Sequence, residues 1–249
     1  MERGKIFDME AVAKILRGRK TILFFDLEAT QQSSEVIEIG AVGATVNPDG
    51  TIRKLAKGFS CYVKARHPIG HIVTKLTGIT QDTLNKQGLI YHEAITRFQK
   101  YVSRFKGGVL FASYGNNDIK ILEMSAYANF DEGADFVQQI KKNYIDLSAF
   151  FGQYIRTEIG NPYSLSNCLK LFNVPFAGTA HDALADAMSL ERLYDAFVNQ
   201  QGVVKELYKQ TLSHHHSLPK PVAKVMAELA AGNTVTPERY DEFVAESLK

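Results

Sequence analysis

The stretch TILFFDLEAT, residues 21–30, holds the first pair of side chains able to do chemistry. Asp26 and Glu28 follow a four-residue apolar run, Ile22 to Phe25, of the kind that fills a buried strand. Side chains alternate along an extended backbone, so the two carboxylates share one face while Leu27 returns to the core. Like charges held that close repel, and a shared hard divalent cation such as Mg²⁺ or Mn²⁺ offsets the cost. Taken alone, the tripeptide fits a pair of solvated acids at a strand end better, since such tripeptides are common.

Two later segments offer matching chemistry. VLFAS, residues 109–113, reads as a strand and runs through Tyr114, Gly115, Asn116 and Asn117 into Asp118 and a helical pattern containing Ile119, Leu122 and Tyr127. An acid where a strand gives way to a helix sits at the carboxyl end of the sheet, where open α/β folds place ligands; it also fits a helix cap. GTAHDALADAMSLERLYDAFV, 178–198, opens as a loop and becomes a long amphipathic helix with the stripe Leu184, Ala187, Leu190, Tyr194 and Phe197. Asp182 and Asp186 would share a helical face. With Asp182 as N-cap, His181 is left in the preceding loop, free to swing over the same site as Asp186.

The elements that must position these groups are legible in outline. Residues 8–17 predict a short helix capped by Asp8, with Met9, Val12, Ala13 and Leu16 on one stripe, and the basic Arg17, Arg19 and Lys20 follow as a solvated helix end or a phosphate contact. VIEIGAVGATV, 36–46, reads as a second strand, the turn Asn47-Pro48-Asp49-Gly50 closes it, and GFSCYVK, 58–64, reads as a third in an antiparallel meander. Short helical turns over 67–88 could wall a cleft, a helix spans Tyr91 to Phe105, and Gly107-Gly108 stops it. Residues 109–113, entered after a helix, pair parallel with an earlier strand. A strand and helical turn over 144–151, a helix over 164–172 stopped by Asn173, and the long helix ending near 198 complete the main domain.

The organisation expected is therefore an N-terminal helix in 1–19, a main domain in 20–200, and a helical C-terminal extension in 201–249. In the extension, 213–221 reads as a linker, Val222 to Ala231 as a helix stopped at Gly232, and Thr236-Pro237 as the start of another. The triplet His214, His215, His216 could bind metal, but a contiguous run in a Pro-containing loop is more often exposed and inert. A formal charge of +2 announces no overall affinity for nucleic acid, although a local basic face is possible if the acids gather in a metal site. Cys61 and Cys168 suit neither a disulfide framework nor a zinc spacing, which suggests a reducing, cytoplasmic setting. No apolar run approaches the ~18 residues of a membrane span, and the N-terminus does not read as a signal peptide.

In the order DLEAT, VIEIGAV, LTGIT, GNND and HDALADA, the chain resembles the DEDDh family of 3′–5′ exonucleases over roughly residues 20–200, with the closest likeness to the Eri/KapD branch. The resemblance implies a ribonuclease H-like α/β fold: a mixed sheet, antiparallel in its first three strands and then parallel, flanked by helices. It implies Asp26, Glu28, Asp118 and Asp186 as ligands for two divalent metal ions, Mg²⁺ or Mn²⁺, with His181 as general base and Glu28 also catalytic. Ala29 and Thr30 would lie near the terminal 3′ hydroxyl, and Leu76 and Ile79 would wedge the last base. Asn117 departs from the pattern, since relatives often carry an aromatic residue before the middle acid.

The activity implied is removal of 5′ mononucleotides from the 3′ end of a single-stranded nucleic acid, RNA favoured over DNA. Tyr114, Phe111, Lys64, Arg66 and Lys75 are further candidates for stacking and phosphate contact. Two other readings compete. One is an HD-type metal phosphohydrolase built on His181-Asp182 with His67, His71 and His92; the other is a non-catalytic nucleic-acid or partner-binding module on the same fold.

Overall fold

The computed structural model describes residues 10–213 and 218–248. Within them, α1 (Glu10–Leu16) buries Val12 and Leu16 and delivers the chain into β1 (Thr21–Ala29). Asp8, Met9 and the histidine triplet 214–216 lie outside the described residues. β2 (Val36–Val46) runs antiparallel to β1, and β3 (Ile52–Leu55) and β4 (Phe59–Tyr62) both pair antiparallel with β2. The sequence suggests one strand here, over 58–64. β3 escapes such a reading because Arg53, Lys54 and Leu55 are all exposed on the sheet edge, leaving no alternation to read.

The helices α2 (His71–Thr77), α3 (Gln81–Gln87) and α4 (Tyr91–Val102) lead to β5 (Val109–Ser113), which is parallel to β1. Then come α5 (Asn117–Ala128), α6 (Ala134–Lys142) and β6 (Tyr144–Asp146), the last parallel to β5. The sheet order is β3-β2-β1-β5-β6, with β4 beside β3 on the outer edge of β2. This is the mixed α/β sheet expected. α4 is one turn shorter than expected, and Phe105 instead tucks its ring beneath Gly43.

Alternation along β1 divides the core in two. Leu23, Phe25 and Leu27 pack with Ala94 and Phe98 of α4, Ile119 and Leu122 of α5 and Ile140 of α6. On the other face the Phe24 ring lies 5.4 Å from that of Tyr194, whose hydroxyl donates to the Gly50 carbonyl at 2.8 Å. Tyr194 belongs to α9 (Ala183–Asn199), reached through α7 (Leu147–Phe151) and α8 (Leu165–Leu171). Asn173 follows α8 at φ 54°, in the left-handed region that ends a helix. α9 is buried over a wider arc than its predicted stripe, Ala183, Ala185 and Glu191 included, whereas Leu184 is only half-buried.

The described residues form two compact units: one comprises residues 10–147 together with Leu165–Asn199, and the other Ser148–Ser164 with the described residues from Gln200 on. The second unit contains α10 (Gln201–Ser213), α11 (Lys220–Ala230) and α12 (Pro237–Ser247). The Tyr154 and Tyr208 rings meet edge-on there, and Thr211 Oγ1 accepts from the Arg156 amide at 3.1 Å. Thr236 caps α12 by accepting from the Arg239 amide at 3.3 Å. No described helix is long and apolar enough to cross a membrane.

Candidate active site

The acids of β1 gain their surroundings from three elements. Asp26 and Glu28 project on the α9 side of the sheet, opposite the face of Phe25 and Leu27. Across the ladder Asp26 stands opposite Gly40 and Glu28 opposite Glu38. Gly40 has to be glycine: a Cβ there would meet the Ala183 carbonyl carbon at 2.1 Å and the Leu184 nitrogen at 2.2 Å. The first turn of α9 therefore rests directly on β2, and that contact carries Asp186 to the β1 acids.

Capping completes the placement. Asp182 accepts from the Ala185 amide at 2.8 Å, the N-cap role read from the sequence, and Glu38 Oε2 accepts from the Ala183 amide at 3.3 Å. His181, at φ 64°, turns the chain so that its own amide donates to Asp186 Oδ2 at 2.9 Å. Its Nδ1 stands 3.9 Å from Glu28 Oε1 and half of its side chain meets solvent. Single ligand atoms of Glu28, His181 and Asp186 all lie within 4.8 Å of one another. Asp118 enters from the other side: it is the second residue of α5, buried, and its Oδ1 accepts from the Leu27 amide at 3.0 Å. That hydrogen bond fixes it beside the strand between the two β1 acids.

Burial and mutual repulsion raise the carboxyls of the cluster. Loss of water, followed by the charges of Asp118, Asp186, Glu28 and Glu38, drives the Asp26 carboxyl well above its ordinary range. Burial, then Asp186 and Glu38, raises Glu28 to about 8. Burial raises Asp118 to about 6 although Ser113 and the Leu27 amide hydrogen-bond to it, and Asp186 rises for the same reason despite the His181 amide. Carboxylates crowded like this, with few donors among them, are the hard oxygen set that divalent Mg²⁺ or Mn²⁺ prefers. The donor set fits such ions.

Two acids at the site were not singled out from the sequence. Glu38 is buried, accepts from Ser60 Oγ at 3.3 Å as well as from Ala183, and is itself raised by burial. An acid inside the otherwise apolar VIEIGAV was the available signal, since the antiparallel register places it across from Glu28. Asp146 ends β6, accepts from the Gly115 amide at 3.0 Å and adds its charge beside Asp118.

The remaining expected residues are more dispersed. Ala29 ends β1, and Thr30 is buried with its hydroxyl bonded to Ser33 Oγ at 2.6 Å and to the Glu35 amide at 3.0 Å. Leu76 is exposed on α2, whereas Ile79 is buried with Ile37, Ile69 and Leu84. Phe111 cannot stack on a base: it is sealed in the core edge-on to Phe25 and Phe136. Arg66 lies over the exposed Phe130 ring at 4.8 Å. The mixed sheet excludes the helical HD architecture, and His67 and His92 pair with Glu35 and Glu132 instead of joining His181.

Comparison with known proteins bears on this geometry. The family model "Exonuclease" (RNase T) matches residues 23–194, from the first acidic strand to α9. A "DNA polymerase III PolC-type" from Caldanaerobacter subterraneus subsp. tengcongensis is 33% identical over 105 residues, 41% of this chain and 7% of the polymerase. This chain thus spans only a small part of that relative's length. Among solved structures, the nuclease domain of 3′hExo, a DEDDh family member bound to rAMP, is similar with TM-score 0.60 and 18% identity, covering 75% of this chain and 94% of that one. A 3′-exonuclease recognising the 3′ end of a histone mRNA stem-loop gives 0.58 and 17%, covering 73% and 64%. Cell-death related nuclease 4 gives 0.52 and 20%, covering 74% and 65%. The ribonuclease H-like fold is shared with all three, and with the family match running from the strand that bears Asp26 and Glu28 through the helix that bears Asp186, the chain belongs to the RNase T exonuclease family.

Proposed function

We propose that the protein hydrolyses the terminal phosphodiester bond at the 3′ end of single-stranded RNA, releasing 5′ mononucleotides one at a time. The observation that carries the reading is the convergence of Asp26, Glu28, Asp118 and Asp186, from three separate elements, beneath a half-exposed His181. Asp26, Glu28, Asp118 and Asp186 would hold two divalent cations. Such ions, when bound, supply charge neutralisation at phosphorus and help for the departing oxygen.

The chain's own groups account for the rest. His181 sits on a loop at the solvent side of the acids, so it can take the proton of the attacking water as the new P–O bond forms and the P–O3′ bond breaks. The shortened chain leaves with a 3′ hydroxyl and the nucleotide with a 5′ phosphate. Leu76, exposed on α2, and Ile79, buried with Ile37, Ile69 and Leu84, supply the wedge against the last base. Thr30 holds the turn after β1 through Ser33 and Glu35 and so keeps the Ala29 backbone in place near the terminal 3′ hydroxyl. Single strands are preferred because a narrow site cannot reach a paired terminus without fraying it.

The choice of RNA draws on the likeness to the Eri/KapD branch and on two solved neighbours, one bound to rAMP and one recognising a histone mRNA stem-loop. The test is incubation of the purified protein with matched 5′-labelled RNA and DNA oligomers, with and without Mg²⁺. A metal-dependent ladder of 3′-shortened RNA supports the reading; DNA cut faster than RNA overturns the substrate, and cleavage of neither overturns the activity.

A further inference from the structure

The end of the sheet opposite the acids carries the reverse charge. β1, β5 and β6 are parallel, so their first residues meet there, below the last turns of α4 and α6. Gly107 and Gly108, both at φ 82°, turn the chain close against the stems of Lys20 and Arg19. Arg19 Nη2 donates to Asn143 Oδ1 at 2.5 Å, and both residues line a cavity of about 250 Å³. Arg19, Ser103, Gln139 and Asn143 supply the polar lining of that cavity: a guanidinium and two carboxamides able to donate to a phosphate oxygen, beside a Ser103 hydroxyl that donates to the Lys100 carbonyl at 2.9 Å.

Close to that lining along the chain stand the exposed cations Arg17, Lys20, Arg104, Lys106 and Lys142. Among the described residues none of the five has a carboxylate partner, whereas the neighbouring Lys141 is paired with Glu123 at 2.6 Å. Compensation of helix ends accounts for little of this. α1, α4 and α6 direct their C-termini here, together equivalent to roughly 1.5 negative charges. Six cations, counting Arg19, far exceed that. In a chain whose overall formal charge is only +2, the surplus is a segregated basic face, set roughly 20 Å along β1 from Asp26.

We propose that this cationic pocket is a second site for nucleic-acid phosphates, gripping the substrate backbone well away from the 3′ end being cut. The identity of the ligand rests on the exonuclease reading above. Tethering at a second point raises the effective concentration of the 3′ end at the acids without any new contact there. It also offsets the repulsion between a polyanion and the acidic end of the molecule.

The test uses the full chain with Lys20→Gln, Lys106→Gln and Lys142→Gln combined, three exposed substitutions, compared with the wild type for thermal stability. Anisotropy of a labelled single-stranded RNA of about 20 nucleotides, in EDTA so that nothing is cut, should show at least about a tenfold loss of affinity. The slope of log K against log salt should fall by about 2, at ~0.7 for each phosphate the protein no longer neutralises. Asp118→Asn should keep the wild-type slope. With Mg²⁺, a dinucleotide too short to span the two sites should be cut at the wild-type rate while the long RNA loses several-fold in kcat/KM. Unchanged affinity and slope overturn the proposal, as does binding of anionic phospholipid vesicles in place of RNA. Loss of RNA affinity in a protein that proves to cut nothing supports this site and removes the exonuclease reading alone.

Discussion

Replacing Glu28 with Gln should stabilise the metal-free protein and abolish its stabilisation by metal. The carboxylate is held at a pKa of about 8 against an ordinary 4.5, because burial and the charges of Asp186 and Glu38 penalise its ionised form. A folded-state pKa raised in this way means that the native protein binds more protons than the unfolded chain, so stability falls as pH rises through the window from about 4.5 to about 8. At pH 8 the full shift corresponds to a penalty of about 4 kcal/mol, and at pH 5 to about 1 kcal/mol. With 15% of the side chain exposed, water reduces this, and about 2 kcal/mol is the working figure at pH 8. For a chain of this size that is about 4–8 °C in Tm.

The assay is differential scanning fluorimetry in EDTA at pH 5 and pH 8, repeated with Mn²⁺. Glu28→Gln should melt about 4–8 °C above the wild type at pH 8 and within about 2 °C of it at pH 5. Saturating Mn²⁺ should raise the wild type by an amount consistent with about 2–3 kcal/mol and leave the variant nearly unmoved. A variant that melts lower than the wild type at pH 8, or that retains the full Mn²⁺ shift, would falsify the view that Glu28 is a crowded, metal-seeking carboxylate.

Asp26→Asn and Asp186→Asn should each reduce Mg²⁺-dependent release of nucleotides to below about 1% of wild type without lowering Tm in EDTA, as end-labelled RNA on a denaturing gel and a melt would show. His181→Ala should slow the chemical step by about 10²–10⁴-fold in single-turnover kinetics with saturating RNA while leaving RNA affinity close to that of the wild type; equal rates would remove the general-base role. Gly40→Ala should cost about 1–3 kcal/mol and uncouple α9 from β2, visible as a lowered Tm together with loss of the Mn²⁺ shift. Leu76→Ala, at an exposed position, should leave Tm unchanged and raise KM for RNA by several-fold, whereas Ile79→Ala should lower Tm by removing a buried side chain, at about 2–5 kcal/mol.

Local sequence was sufficient wherever a rule of short range applies. Alternation in TILFFDLEAT placed Asp26 and Glu28 together on one face, and capping chemistry put Asp182 at the head of α9 with His181 in the loop before it. The Asn47–Gly50 turn, the stop at Asn173 and the Thr236-Pro237 start of α12 were legible for the same reason: each depends on the dihedral and hydrogen-bonding preferences of two to four residues. β3 was not legible because an exposed edge strand shows no burial pattern, and Phe111 kept a stacking reading beside a core one because a short apolar run does not show which strand is central.

The order of motifs along the chain indicated which acids to consider, but their meeting is a long-range event that only packing determines. Gly40 lets the first turn of α9 lie against β2, the Leu27 amide holds Asp118 beside β1, and the antiparallel register brings Glu38 opposite Glu28. The basic pocket has the same origin, since Arg19, Ser103 and Asn143 become neighbours only because three parallel strands start at one edge. Residue types and short spacings set what each group can do chemically. The distances, desolvation and charge repulsion that shift those carboxylates come from contacts between segments many residues apart, which no local pattern encodes.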